Sequence, residues 1–137
     1  MNRKPMTDDA IARVVRTLRE LQSGGLALPN LPDTARPDAG LAKEVPPWIS
    51  HLSLLADGRC AWLFCEPDPG VAHDQPGQVV LDLPAGRYLI DTFDPASRTC
   101  VARESAAAPP LVIGLVHTGT PVLLWIRPIT DRRPAGG

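Results

Sequence analysis

The stretch that decides the fold is Ile49-Ser50-His51-Leu52-Ser53-Leu54-Leu55-Ala56-Asp57-Gly58-Arg59-Cys60-Ala61-Trp62-Leu63-Phe64-Cys65-Glu66. Residues 49–55 and 59–66 read as strands, and Ala56-Asp57-Gly58 between them is a turn whose Asp-Gly pair tolerates positive φ. A hairpin is therefore expected here. In its second arm Cys60, Trp62 and Phe64 share one face and Ala61, Leu63 and Cys65 the other. Both faces are apolar, which places this strand in the middle of a sheet covered on both sides.

Downstream the period of two continues. Residues 78–83 and 87–93 flank Pro84-Ala85-Gly86, which predicts a second hairpin. Residues 99–104 follow the Asp94-Pro95-Ala96-Ser97 turn. Residues 111–117 and 122–127 flank Thr118-Gly119-Thr120-Pro121. In the last strand Val122, Leu124 and Ile126 face one way and Leu123 and Trp125 the other, again with two apolar faces. Seven short strands with turn signals about every ten residues predict a mainly β fold, an antiparallel β-sandwich with one helix packed on it.

That helix is the N-terminal segment, at about residues 8–22. Ile11, Val14, Val15, Leu18 and Leu21 fall at helical spacing on one face, with Arg13, Arg16 and Arg19 turned elsewhere. Thr7 is the expected N-cap, Asp8 and Asp9 suit the positive end of the helix dipole, and Ser23-Gly24-Gly25 stops it. Its apolar stripe is expected to cover the outer side of the central strands. Residues 26–47 carry Pro29, Pro32, Pro37, Pro46 and Pro47 and no sustained period. They read as a connector that runs over the fold in extended form, with at most a helical turn near residues 39–43. The organisation expected is thus helix 1–25, connector 26–47, sandwich 48–128 and a polar tail 129–137 with Arg132 and Arg133.

Composition narrows the function. Lys and Arg number 14 against 15 Asp and Glu, a net charge of −1. This balance lacks the cationic footprint of a nucleic-acid binder. The 16 prolines in 137 residues are over twice the usual ~5% and demand many short elements. Cys60, Cys65 and Cys100 are an odd number, so no disulfide framework uses them all, and a reducing, cytoplasmic setting is expected. No apolar run approaches the ~20 residues that span a bilayer, and no secretory signal is visible.

The residues Val79-Val80-Leu81-Asp82-Leu83-Pro84-Ala85-Gly86-Arg87-Tyr88-Leu89-Ile90-Asp91-Thr92-Phe93-Asp94-Pro95 resemble the small accessory β-sandwich domain found at the C-terminus of many glycoside hydrolases, a group that includes collagen-binding-like domains. There a leucine, a spacer and a glycine turn precede a strand of the form Tyr-x-x-x-x-Phe-Asp-Pro. The resemblance spans about residues 49–127. Ala96-Ser97-Arg98-Thr99 stands where that group usually has a glycine after the Asp-Pro pair. The resemblance implies a sandwich first and a carbohydrate-related setting second, and it brings no catalytic residues with it.

The chemistry-bearing residues agree with a modest repertoire. Sugar binding wants an exposed aromatic platform. Trp62 and Trp125 lie within apolar strands and are expected in the core, so Trp48, after Pro46-Pro47 at a strand edge, is the candidate ligand-binding residue. A glycosidase needs two carboxylates about 5 to 10 Å apart. Asp82 and Asp91, on strands joined by the expected second hairpin, fall side by side. Asp94 is expected to bond backbone N–H groups of its turn. A small hydrolase would draw on Glu66, Asp68, His73 and Asp74 in the loop at residues 66–77. Cys60 and Cys65 point to opposite faces of one strand some ~17 Å apart, which rules them out as joint metal ligands. His51, His73 and His117 are scattered, and Ser23-Gly24-Gly25 follows a helix where a phosphate loop precedes one. Neither metal nor cofactor is expected. The reading is a non-catalytic binding or assembly module, possible partners being a second copy (a homodimer through the helix or a sheet edge), another protein or a carbohydrate, with a small hydrolase as the alternative.

Overall fold

The structure is a computed structural model that describes residues 8–26, 28–58, 60–71, 74–97, 99–107, 110–117 and 119–129. One helix, α1 (Asp8–Ser23), precedes nine strands: β1 (Arg36–Pro37), β2 (Ala42–Glu44), β3 (Ile49–Asp57), β4 (Cys60–Pro67), β5 (Pro76–Leu81), β6 (Gly86–Asp94), β7 (Thr99–Ala107), β8 (Leu111–Val116) and β9 (Val122–Pro128). They form two antiparallel sheets, one of six strands in the order β1-β3-β4-β9-β6-β7 and one of three in the order β2-β5-β8. The chain is a mainly β sandwich with its helix on the outside.

Strand parity decides which side chain enters which layer. Ala61, Leu63 and Cys65 of β4 and Leu124 and Ile126 of β9 join Val79, Leu81, Leu111 and Ile113 of the small sheet in the core between the sheets. The alternate residues Trp62, Phe64 and Leu123 meet Val14, Leu18 and Leu21 of α1 in a second core outside the large sheet. Trp62 and Trp125 sit opposite each other across β4 and β9, and Leu63 faces Leu124. The central strands are thus buried on both faces, as their sequence requires.

The buried stripe of α1 is Ala10, Val14, Thr17, Leu18 and Leu21, while Ile11 is 36% exposed. The stripe is rotated from the one expected, because Ala10 and Thr17 pack although neither is strongly apolar. The Thr17 hydroxyl makes this tolerable by donating to the Arg13 carbonyl at 2.9 Å. The helix ends in a Schellman arrangement, Leu26 N–H to Leu21 C=O at 3.1 Å and Gly25 N–H to Gln22 C=O at 3.0 Å. Gly25 stands at φ 101°, a conformation that costs glycine nothing. The expected N-cap Thr7 lies outside the described residues, as does the tail at residues 130–137. Arg127 is a residue of β9, in the strand expected at residues 122–127.

The β3–β4 hairpin forms as expected, with Asp57 paired to Cys60 and Gly58 at φ 64°. The β6–β7 turn also forms, with the Asp94 carboxylate accepting the Ala96 N–H at 3.0 Å. The expected pairing of β5 with β6 does not occur. β5 and β6 belong to different sheets, and so do β8 and β9. Residues 82–85, and residues 117 and 119–121, are corners that carry the chain between layers. The same Gly and Pro residues serve a hairpin and a corner, since either needs an abrupt change of direction. At the first corner Tyr88 is fully buried and its hydroxyl donates to the Pro84 carbonyl at 2.8 Å, a tyrosine corner of the kind found in Greek-key sandwiches.

Residues 36–44, expected as an extended connector with at most a helical turn near residues 39–43, supply an edge strand to each sheet. Arg36 and Pro37 pair with Ala56 and Leu55 of β3, and Ala42 and Glu44 pair with Leu81 and Val80 of β5. A 3-10 turn at Ala39–Leu41 links them.

Two stability predictions follow from these contacts. Leu18→Asp puts an unpaired carboxylate under the helix and should cost several kcal/mol in urea unfolding, whereas Arg19→Asp on the exposed side should stay within about 0.5 kcal/mol. Tyr88→Phe keeps the ring and loses one buried hydrogen bond, and should lower stability by about 1 to 2 kcal/mol.

Candidate functional site

The loop after β4 gathers the acidic residues singled out in the sequence, and the carboxylates of Glu66 and Asp68 have structural tasks there. Glu66 forms an ion pair with Arg13 of α1, so it fastens the helix to β4. Asp68 accepts the Gly70 N–H on its carboxylate at 2.9 Å, and its own N–H donates to the Trp48 carbonyl at 2.7 Å. Asp74 is exposed in left-handed backbone at φ 64°. His73 lies outside the described residues.

What holds this loop is His117, which is fully buried. Its Nδ1 accepts the Gly119 N–H at 3.0 Å, so the proton sits on Nε2 and is donated to the Asp68 carbonyl at 3.1 Å. The backbone adds Asp74 N–H to His117 C=O at 2.7 Å and His117 N–H to Gln75 C=O at 2.9 Å. Trp48 packs beside this knot, its ring centroid 5.0 Å from that of His117 and its Nε1–H donating to the Pro76 carbonyl at 3.3 Å. The approach is close. A Cβ on Gly77 would lie 2.6 Å from Pro46 Cβ and 3.1 Å from Trp48 Nε1. Trp48 is accordingly 5% exposed, and the free aromatic platform expected there is absent because the residue 46–48 turn folds under β5.

The more accessible tryptophan is Trp125, half-buried on the outer face of β9, where it packs against the helix-side core with its Nε1 buried and without a hydrogen-bond partner among the described residues. The Arg127 guanidinium lies 3.8 Å from its ring centroid and Arg127 Nη1 donates to Asp91 Oδ2 at 2.9 Å. Trp125 and Arg127 are two apart on β9, and Asp91 is the register partner of Trp125 on β6. Asp91 is 8% exposed, so its pairing with Arg127 neutralises a carboxylate that burial would otherwise penalise. Asp82 is far from it in the chain's connectivity, exposed and 3.9 Å from Lys43 Nζ. The side-by-side Asp82 and Asp91 expected from one hairpin therefore do not arise, since their strands lie in different sheets. The pair of residues at 125 and 127 was visible in the sequence; their acidic partner was not, because the neighbour of β9 is set by topology.

At one end of the sandwich the sheets part around a cleft of about 320 Å³. The large sheet extends past the small one here, so the inward residues Thr92 and Asp94 of β6 and Thr99 and Val101 of β7 face β8 across open space, with Trp48 and Cys65 behind them.

The cysteines are all free. Burial pushes the Cys65 thiol up to about 12, and burial, then nearby Asp57, raises Cys60. Cys100 is raised by burial and then by Asp91. All three hold their protons at neutral pH, which suits packing and not nucleophilic attack. No group of three or more potential metal ligands occurs among the described residues, and no helix among them is long and apolar enough to cross a membrane.

No family model matches the chain, and no curated protein matches it. Among solved structures it is similar to one described as "Glycoside hydrolase", with a TM-score of 0.55 at 10% identity over 85% of this chain and 25% of that one. At that identity the likeness is one of fold, and the chain spans about a quarter of that protein's length.

The Cys65 thiol sets an alkaline linkage. The folded chain keeps this proton to about pH 12 while the unfolded chain releases it near the ordinary thiol value, so the unfolded state binds fewer protons in between and stability falls as pH rises above about 9, by up to about 1.4 kcal/mol per pH unit. Urea titrations from neutral to alkaline pH should show the gap between the wild type and Cys65→Ala narrowing above that point. Thiol labelling should modify exposed Cys100 first and Cys65 only on unfolding.

Proposed function

We propose that this chain is a non-catalytic β-sandwich module that acts by binding or assembly in a carbohydrate-related setting. The observation that carries the reading is the engagement of five of the acidic residues singled out in the sequence, Asp74 being the exposed exception. Glu66, Asp82 and Asp91 are in ion pairs, and Asp68 and Asp94 hold turns with their carboxylates. A glycosidase instead keeps one carboxyl free to donate a proton and a second free to attack or to activate water. The fold shared with part of a glycoside hydrolase supports the setting, and it is the part of the proposal that rests on likeness.

The binding surface we assign is the outer face of β9 and β6 around the half-buried Trp125. Trp125 offers an aromatic edge, and the Arg127–Asp91 pair beside it offers donors and acceptors at fixed positions. A flat surface of this composition suits sugar hydroxyls or a protein partner better than it suits a reaction that must exclude water.

Affinity electrophoresis against soluble xylan, mixed-linkage β-glucan and galactomannan tests this, alongside release of nitrophenol from p-nitrophenyl glycosides. Retardation by at least one polysaccharide is expected, weakened at least fivefold in Trp125→Ala, with no release above buffer. Release that Glu66→Gln abolishes would instead establish the hydrolase, and a monomeric chain retarded by none of the three would end the proposal.

A further inference from the structure

The unequal width of the two sheets leaves part of the interior without a facing layer. Along β6 the inward row runs Tyr88, Ile90, Thr92, Asp94. The first two are fully covered by the small sheet, and the last two line the end cleft. Their register partners on β7 are Val101 for Thr92 and Thr99 for Asp94, so the row continues to the sheet edge. Across the gap stand Leu115 and Val116 of β8. Val101 is 63% exposed and Val116 53%, which leaves two apolar side chains at the mouth. The volume of about 320 Å³ is at the lower end of the ~300–1,000 Å³ typical of small-molecule sites.

One lining residue is charged, and it is Asp94. It is half-buried. One carboxylate oxygen accepts the Ala96 N–H at 3.0 Å, and among the described residues no cation stands within ion-pair distance of it. Glu66 and Asp91 each have an arginine, and the similarly half-buried Asp57 and Asp68 accept hydrogen bonds from Thr34 and Gly70; of these carboxylates Asp94 is the one that lines the cleft. An apolar recess ending on a carboxylate without its counter-ion is complementary to one kind of occupant, an apolar body bearing a single positive charge.

We infer that the cleft between β8 and the β6–β7 edge is a binding site for a small alkylammonium-type cation, its hydrocarbon part against Val101, Leu115 and Val116 and its ammonium on Asp94. An anion of the same shape is repelled there, and a neutral one forgoes the charge pairing. The site is separate from the Trp125 face on the outer side of the sheet, so this inference stands or falls independently of the carbohydrate reading.

Titration calorimetry of the full chain at neutral pH and low salt, with n-hexylammonium, 1-hexanol and hexanoate as probes, decides it. Hexylammonium should bind about tenfold or more tightly than 1-hexanol, with hexanoate weakest. Asp94→Asn keeps a side-chain oxygen for the Ala96 N–H, so it should leave the melting temperature in place while bringing hexylammonium down to the level of 1-hexanol. Asp82→Asn, an exposed carboxylate outside the cleft, should change nothing. Val101→Trp, at an already exposed position, should block both the amine and the alcohol. Equal binding of the three probes, no binding of any, or an ammonium preference that survives Asp94→Asn or falls equally in Asp82→Asn would overturn the assignment.

Discussion

Strands β4 and β9 are apolar on both faces, and the rest of the molecule is arranged to keep water from each. A sheet whose middle carries Ala61, Leu63 and Cys65 on one side and Trp62 and Phe64 on the other needs a layer above and a layer below. The three-stranded sheet supplies one layer and α1 the other. The Glu66–Arg13 ion pair ties the helical layer to the strand it protects. Because both central faces are committed to packing, the cover thins only at the margins: outside at the half-buried Trp125, and inside at Asp94, beside the edge of the small sheet.

The same two-sided strands were the most legible part of the sequence. Alternation is a local property, so the sorting of Cys60, Trp62 and Phe64 from Ala61, Leu63 and Cys65 could be read without knowing any partner. The helix and its glycine stop were legible for a similar reason. Pairing was not. Pro84-Ala85-Gly86 and Thr118-Gly119-Thr120-Pro121 announce a change of direction and say nothing of whether the next strand stays in the sheet or leaves it. That is why β5 was joined to β6 and Asp82 to Asp91. The strands β1 and β2, of two and three residues, are too short to show a period at all.

Site residues divide along the same line. Asp94 was readable as a turn residue because the Asp-Pro pair is local chemistry, but its place in a cleft depends on where β8 runs. His117 looked like an isolated histidine, and its neutral ring holds Asp68 and Gly119 only through contacts far apart in the chain. Trp48 and Trp125 exchanged roles. Flanking prolines suggest an open ring at position 48, yet Gly77 lets that turn tuck beneath β5, while Trp125 packs against the helix-side core and stays half-buried.

The proline-bearing stretch between the helix and β3 has a consequence for how copies of this chain can meet. It places a very short strand on one flank of each layer, with Pro37 and the Pro46-Pro47 pair denying hydrogen-bond donors to any newcomer. The opposite flanks are the nine-residue β7 and the six-residue β8. Each sheet therefore keeps one long border, so strand addition is disfavoured on the β1 and β2 flanks and confined to the β7 and β8 flanks.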